Sequence, residues 1–258
     1  MIRVANVTHD YGAQRALDAV SFEVRAGEVV GFLGPNGAGK STLFKLLSTY
    51  LPVQSGTIEV AGFDVARAPL EVRARIGYLP EHDPLFEGMR VDRFLAFVGA
   101  AHGLERDELA ARAAWVVERC DLGAVLAKRV RECSKGFRQR IGLAAALIHD
   151  PPVLLLDEPT HGLDPLQVAS FRAFVRELAP GRAVLFSSHV LAEVASVSDR
   201  LLLLVGGRIV LDGPRAELEE RARRGGRTLE DLVLEAVRDS RSRDPRGSGR
   251  LEREGAAS

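Results

Sequence analysis

Val29-Val30-Gly31-Phe32-Leu33-Gly34-Pro35-Asn36-Gly37-Ala38-Gly39-Lys40-Ser41 begins with an apolar run and ends in a glycine-rich turn closed by Lys-Ser. The first five residues read as a buried strand. The turn matches G-x-x-x-x-G-K-[ST] in full, from Gly34 to Ser41. A polyphosphate needs many donors converging on it. Glycines let the backbone bend so that successive N–H groups point inward, and a following helix adds its positive end. A helix is predicted over residues 39–50, stopped near Pro52. In that setting Lys40 reaches the β- and γ-phosphates and the Ser41 hydroxyl ligates Mg²⁺, so ATP with Mg²⁺ is the expected ligand.

Working outward, residues 20–24 read as a strand and Ala26-Gly27 as a turn before the loop. Residues 57–60 and 76–79 read as further strands, each bounded by Gly or Pro. From about residue 91 to 122 the period becomes helical, broken at Gly103, with Asp107 placed to start a second helix. Strand and helix then alternate again: 153–156, a helix over 165–178, 183–186, a short helix after His189, and 201–205. That alternation predicts an α/β fold with a mainly parallel sheet covered on both faces and a helical insertion over about 82–142. Residues 1–225 form one nucleotide-binding domain in this reading. Leu229, Leu232, Val233, Ala236 and Val237 follow helical spacing behind Thr228, giving a terminal helix over 226–239. Residues 240–258, rich in Arg, Ser, Gly and Glu, are expected to be disordered.

Two further stretches carry chemistry. Val153-Leu154-Leu155-Leu156-Asp157-Glu158 is an apolar strand that delivers two carboxylates at its end. Beside the glycine loop, Asp157 is placed to hold Mg²⁺ and Glu158 to polarise the attacking water. His189 follows the strand at 183–186 and Ser187-Ser188. The carboxyl ends of strands are where α/β sheets bind ligands, and an imidazole there is placed to touch the γ-phosphate and orient Glu158.

Charge narrows the partner class. Lys plus Arg and Asp plus Glu both number 35, so the chain has no basic surplus and no nucleic-acid partner is expected. Cys120 and Cys133 make neither a disulfide framework nor a metal-ligand spacing, which suits a reduced cytosolic protein. The start, Met1-Ile2-Arg3-Val4, lacks the layout of a signal peptide. The longest apolar runs are too short to span a bilayer, so any membrane role passes through a partner.

In this order the residues resemble the nucleotide-binding subunit of an ATP-binding cassette (ABC) transporter over about residues 2–215. The landmarks are Tyr11, the Gly34-to-Thr42 loop, Glu81 after Ile76-Gly77-Tyr78-Leu79-Pro80, Ser134-Lys135-Gly136-Phe137-Arg138-Gln139-Arg140, Asp157-Glu158, Gly162-Leu163-Asp164 and His189. The resemblance implies a P-loop NTPase of the ABC ATPase type: a mainly parallel core, an N-terminal antiparallel β part and the helical insertion. It implies that Tyr11 stacks on adenine, though a Tyr at a strand end also suits a core. It implies that Ser134 and Gly136, at a helix start, bind the γ-phosphate held by a second copy, so that a homodimer sandwiches two ATP molecules. Asp164 would link the two sites; it also suits the N-cap of the helix at Pro165. Glu81 stands where the family usually has glutamine. It still approaches Mg²⁺ but adds negative charge beside the phosphates. Phe137 likewise replaces a polar residue.

These variants look like the branch serving drug, sodium or polysaccharide exporters and gliding-motility systems. The implied function is ATP hydrolysis that powers export through a separate integral-membrane permease, at the cytoplasmic face of the membrane. Phe86, Met89 and Phe94 are candidates to receive a permease helix, or else insertion core. The competing reading is a non-transport ABC ATPase acting on DNA or ribosomes. Neither a sustained heptad repeat between Lys40 and Ser134 nor a second cassette supports it.

Overall fold

The computed structural model describes residues 1–81, 84–160 and 165–243. The chain begins with β1 (Ile2–Tyr11), β2 (Gln14–Val24), β3 (Val29–Leu33), α1 (Lys40–Leu47), β4 (Ser55–Val60), β5 (Phe63–Asp64), α2 (Pro69–Arg73) and β6 (Ile76–Leu79). Three helices follow: α3 (Val91–Ala101), α4 (Arg106–Arg119) and α5 (Lys135–Leu147). The rest is β7 (Val153–Asp157), α6 (Pro165–Leu178), β8 (Ala183–Ser188), α7 (Leu191–Val197), β9 (Arg200–Val205), β10 (Arg208–Pro214), α8 (Arg215–Arg224) and α9 (Leu229–Arg243).

Among the described residues these strands make two sheets. One is antiparallel, in the order β2-β1-β4-β5. The other has the order β10-β9-β3-β8-β7-β6 and is parallel except for β10, which turns back on β9. Both faces of the parallel sheet are covered, so its strands carry unbroken apolar runs. Val153 and Leu155 face a core shared with α1 and the antiparallel sheet, where Phe22, Phe32 and Phe44 pack ring to ring at 6.0 and 6.3 Å. Leu154 and Leu156 face the other core, filled by Val116, Ile141, Phe171 and Phe186. The α/β architecture with a mainly parallel core and an antiparallel N-terminal part is therefore present.

Some boundaries differ from expectation, each for a local reason. The helix after the loop ends at Leu47 rather than near Tyr50, because Thr49 adopts φ 60° and the Tyr50 and Leu51 amides both fold back on the Lys45 carbonyl. The break at Gly103 (φ 83°) is observed, and α4 starts at Arg106, one residue before Asp107, which lies in its first turn. At α9, Thr228 Oγ1 accepts from the Asp231 amide (3.1 Å) while Asp231 Oδ2 accepts from the Thr228 amide (2.9 Å), a reciprocal capping box. The helix continues through residues 240–243, assigned to the tail on composition; residues 244–258 lie outside the described residues. No helix of the described residues is long and apolar enough to cross a membrane.

Two histidines close the base of the helical region. His102, the C-cap of α3, stacks on His149, just beyond α5, with ring centroids 3.6 Å apart and planes 5° from parallel. His149 Nε2–H donates to the Ile76 carbonyl at 3.0 Å, and its Nδ1 is buried without a partner. Burial, then His102 and Arg112, push His149 down to about 4, opposed by the hydrogen bond to the Ile76 carbonyl and by Asp150; burial also lowers His102. The unfolded chain takes up a proton at His149 below its ordinary pKa of about 6.5, whereas the folded chain resists until about 4. The stabilising contribution is thus whole above pH 6.5 and is lost as pH falls through that window. At pH 5 the loss is roughly 1–2 kcal/mol, or several degrees in Tm. Thermal melts at pH 7.5 and 5 should show His149→Gln losing less stability across the interval than the parent chain; equal losses would remove the effect.

Candidate nucleotide site

The parallel sheet brings four loops to one edge. Leu33 pairs with Ser188, Asp157 with Ser187, and Leu79 with Leu156, so the carboxyl ends of β3, β8, β7 and β6 are level. The glycine loop leaves β3, Asp157 and Glu158 end β7, His189 follows β8, and Glu81 follows β6 by two residues. This is where an open α/β sheet takes ligands.

The loop conformation depends on its glycines. Gly37 (φ 77°) and Gly39 (φ 109°) occupy left-handed backbone. A Cβ on Gly34 would come 2.5 Å from the Leu204 carbonyl oxygen, and one on Gly39 would come 2.4 Å from that of Ala16. The loop is thus wedged between β9 and the β1–β2 hairpin. α1 begins at Lys40 with no side-chain cap and no acidic residue in its first turn, so its N-terminal amides are left for an anion. Ala38 is buried, whereas Asn36 and Gly37 are exposed on the loop crest between Pro35 and Gly39; Ser41 and Thr42 are half-buried in the first helical turn.

Lys40 is only 7% exposed. Its Nζ donates to the Gly34 carbonyl at 2.7 Å and the Pro35 carbonyl at 3.4 Å, and lies 3.5 Å from Glu158 Oε1. Glu158 Oε2 accepts from His189 Nδ1 at 2.8 Å. The phosphate-loop lysine, the second acid of β7 and the histidine after β8 therefore form one connected chain of charge-assisted contacts.

Ser187 organises the two acids. Its hydroxyl donates to Asp157 Oδ1 at 2.6 Å and accepts from the Glu158 amide at 3.0 Å. Glu158 has φ 49°, an uncommon conformation for a residue with a Cβ that costs about 1–3 kcal/mol. The Ser187 carbonyl, also within reach of the Glu158 amide at 3.2 Å, helps hold it there. Asp157 is 2% exposed. Burial pushes its carboxyl up; hydrogen bonds from Ser187 and Ser41 oppose this, and the charges of Glu81 and Glu158 add to the rise.

The other expected residues are spread more widely. Tyr11 ends β1 and is 48% exposed, its ring edge-on to His9 at 4.9 Å, on the hairpin that abuts Gly39. Glu81 is exposed, close enough for its charge to act on Asp157 and Tyr78. Ser134 is the N-cap of α5, accepting from the Phe137 amide at 3.4 Å, and Gly136 packs beside Gln167 of α6. Among the described residues no hydrogen bond joins Ser134 or Gly136 to the loop of the same chain. Phe137 turns its ring into the core cluster under Arg140 rather than offering a polar group. Gly162, Leu163 and Asp164 lie outside the described residues. Ser187 was not anticipated as a functional residue; its signal was a pair of small polar residues closing an otherwise apolar buried strand.

Comparison with known proteins agrees with this geometry. The family model described as ABC transporter matches residues 17–161. Daunorubicin resistance ATP-binding protein DrrA3 of Streptomyces coeruleorubidus is 42% identical over 236 residues, covering 91% of this chain and 74% of that protein. A solved ATP-binding subunit of an ABC transporter is similar with TM-score 0.84 and 30% identity, covering 92% of this chain and 99% of that one. The dimeric bacterial cassette MJ0796 shares the fold with TM-score 0.77 at 22% identity, covering 83% and 99%. With its phosphate loop, paired acids and histidine on one sheet edge, the chain belongs to the ABC transporter family, as an ATP-binding cassette that hydrolyses ATP.

Proposed function

We propose that this cassette powers export through a separate membrane permease, and that two copies close around two ATP molecules to do so. The observation that carries the two-copy reading is the division of the site. Lys40, Asp157, Glu158 and His189 converge within one chain, whereas among the described residues no hydrogen bond or ion pair joins them to the phosphate-ready start of α5 at Ser134 and Gly136. A second copy in two-fold arrangement brings that helix start to the γ-phosphate. The dimeric form of MJ0796 supports the same reading. The likeness to a daunorubicin resistance protein favours drug export.

In this mechanism Tyr11 stacks on adenine and the Gly34-to-Thr42 loop cradles the phosphates. The Glu158 carboxylate orients a water and accepts its proton as the oxygen attacks the γ-phosphorus and the bond to ADP breaks. His189 holds that carboxylate through its 2.8 Å contact. The residues fit a divalent ion: three carboxylates, Asp157, Glu158 and Glu81, interact electrostatically around a buried position where Lys40 is the nearby cation. Among the described residues no three His, Cys, Asp or Glu groups form a metal cage, so phosphate oxygens and water would complete the shell. Asp157, Ser41 and Glu81 would hold Mg²⁺, which when bound neutralises phosphate charge. Asp164 is assigned here to communication between the two sites.

The insertion over residues 82–142 supplies the permease contact in this reading. A groove of about 750 Å³ lies between α5, β6 and α3, with Pro80, Phe86, Tyr78 and His149 on its walls. Phe94 is 4% exposed and belongs to the core, so it is not the docking residue. Phe86 (52% exposed) remains, edge-on to the equally exposed Phe97 at 5.5 Å; Met89 is half-buried against the core. Co-expressed with a candidate permease, an integral-membrane protein that carries no cassette of its own, the chain should co-purify. Phe86→Ser/Phe97→Ser should lower recovery about tenfold, the cost of two exposed aromatic anchors, while soluble ATP hydrolysis persists. Undiminished recovery assigns docking to another surface.

A further inference from the structure

The segment Glu158-Pro159-Thr160 is buried along its whole length and pinned at each residue. The Glu158 amide is held by Ser187, the Pro159 carbonyl accepts from Gln139 Nε2 of α5, and Thr160 Oγ1 donates to Glu193 Oε2 at 2.5 Å. The same Glu193 oxygen accepts from Ser188 Oγ at 3.0 Å. Ser188 Oγ in turn accepts from the Val190 amide at 3.1 Å, so both residues flanking His189 are tied in. Glu193 lies in the first turn of α7, where the helix's positive end favours a carboxylate.

We propose that Glu193 is a positioning residue for ATP hydrolysis: one carboxylate oxygen clamps Thr160 and Ser188, and so fixes the distance between Glu158 and His189. This rests on the reading that Glu158 and His189 act at the γ-phosphate. The backbone at Glu158 needs such a clamp, because its left-handed φ persists only where surrounding contacts over-determine it. Among the described residues, the Glu193 carboxylate bonds to Thr160 and Ser188 and not to Lys40, Asp157, Glu158 or the glycine loop. Its loss should therefore displace the base and the histidine without removing any group that binds ATP. Gln139, on the helix that begins at Ser134, holds the next carbonyl of the same segment. The junction thus also joins the catalytic acid to the helix that serves the other site.

The test is steady-state ATP turnover of the full chain with Mg²⁺, beside ATP affinity and thermal melts. Glu193→Ala should lower kcat about ten- to a hundredfold, the scale of a misplaced catalytic group. ATP affinity and KM should stay within about twofold of the parent. Glu193→Gln should recover most of the loss, since an amide oxygen still accepts from both hydroxyls. Thr160→Val should lower kcat in the parent chain but add nothing in the Glu193→Ala background, as expected for two ends of one contact. This uncharged, near-isosteric change keeps the proposal testable if Glu193→Ala folds poorly. Parent-like kcat in Glu193→Ala, a loss of affinity equal to the loss of kcat, or additive effects with Thr160→Val would overturn it. Glu158→Gln is the control. If that variant is inactive while Glu193→Ala is normal, only the positioning role fails; if it hydrolyses ATP normally, both readings fall.

Discussion

Lys40→Ala should abolish high-affinity ATP binding and turnover together. The Lys40 ammonium is 7% exposed at the centre of the loop, between the Gly34 and Pro35 carbonyls and the Glu158 carboxylate. Among the described residues, the His189 ring is the other group within ion-pair distance of Glu158. Contacts from an ammonium to β- and γ-phosphate oxygens are charge-assisted and contribute about 1.5–3 kcal/mol each. Losing two of them weakens ATP binding at least about a hundredfold. Turnover falls further, because the same charge is needed where the leaving phosphates become more negative. The substitution also strips Glu158, a buried carboxylate, of one of its two partners, so the variant should melt lower than the parent even without nucleotide. Thermal melts with and without ATP separate the two effects. The parent should gain stability with ATP by mass action and the variant should not. Unchanged ATP affinity would remove the phosphate-loop assignment.

The sequence exposed most of what builds the sheet, and the misses have physical causes. β3, β6 and α6 were located residue for residue because burial on both sides, or a clean helical period, leaves an unambiguous pattern. β1 escapes the pattern, since its inward residues run Ile2, Val4, then Val7, His9: a register shift at Asn6 (φ 50°) breaks the alternation. α8 leaves no such pattern, because only Leu218 and Ala222 are buried in an otherwise charged stretch. In the site, groups carried by a motif are legible: Lys40, Glu158 and His189 lie in one chain of contacts, and Asp157 precedes Glu158 at the end of β7. The groups that hold them were not. Ser187, Gln139 and Glu193 act by contacts between elements far apart in sequence, and no local spacing announces such contacts. At Phe94 the sequence leaves two readings open, docking residue or insertion core, and burial decides for the core.

Glu158→Gln should separate binding from chemistry. The amide keeps the shape of the carboxylate and still accepts from His189 Nδ1, so the arrangement seen at 2.8 Å survives. It cannot accept a proton from water, and loss of a general base costs about 10²- to 10⁴-fold in rate. Binding should tighten rather than weaken. Glu158 is one of two carboxylates, with Glu81, whose charge acts on Asp157, and removing its charge lowers repulsion toward a polyphosphate. Lys40, released from its ion pair with Glu158, is then committed to the phosphates. With ATP retained and uncleaved, two copies should stay closed around it. Size-exclusion chromatography of Glu158→Gln with ATP should therefore show a dimer that the parent chain forms only transiently, and the dimer should dissociate when ATP is replaced by ADP. Hydrolysis at the parent rate would place the base elsewhere. A variant that binds ATP tightly, does not hydrolyse it and stays monomeric would preserve the role of Glu158 while removing the two-copy site, because nothing would then bring Ser134 and Gly136 to the γ-phosphate.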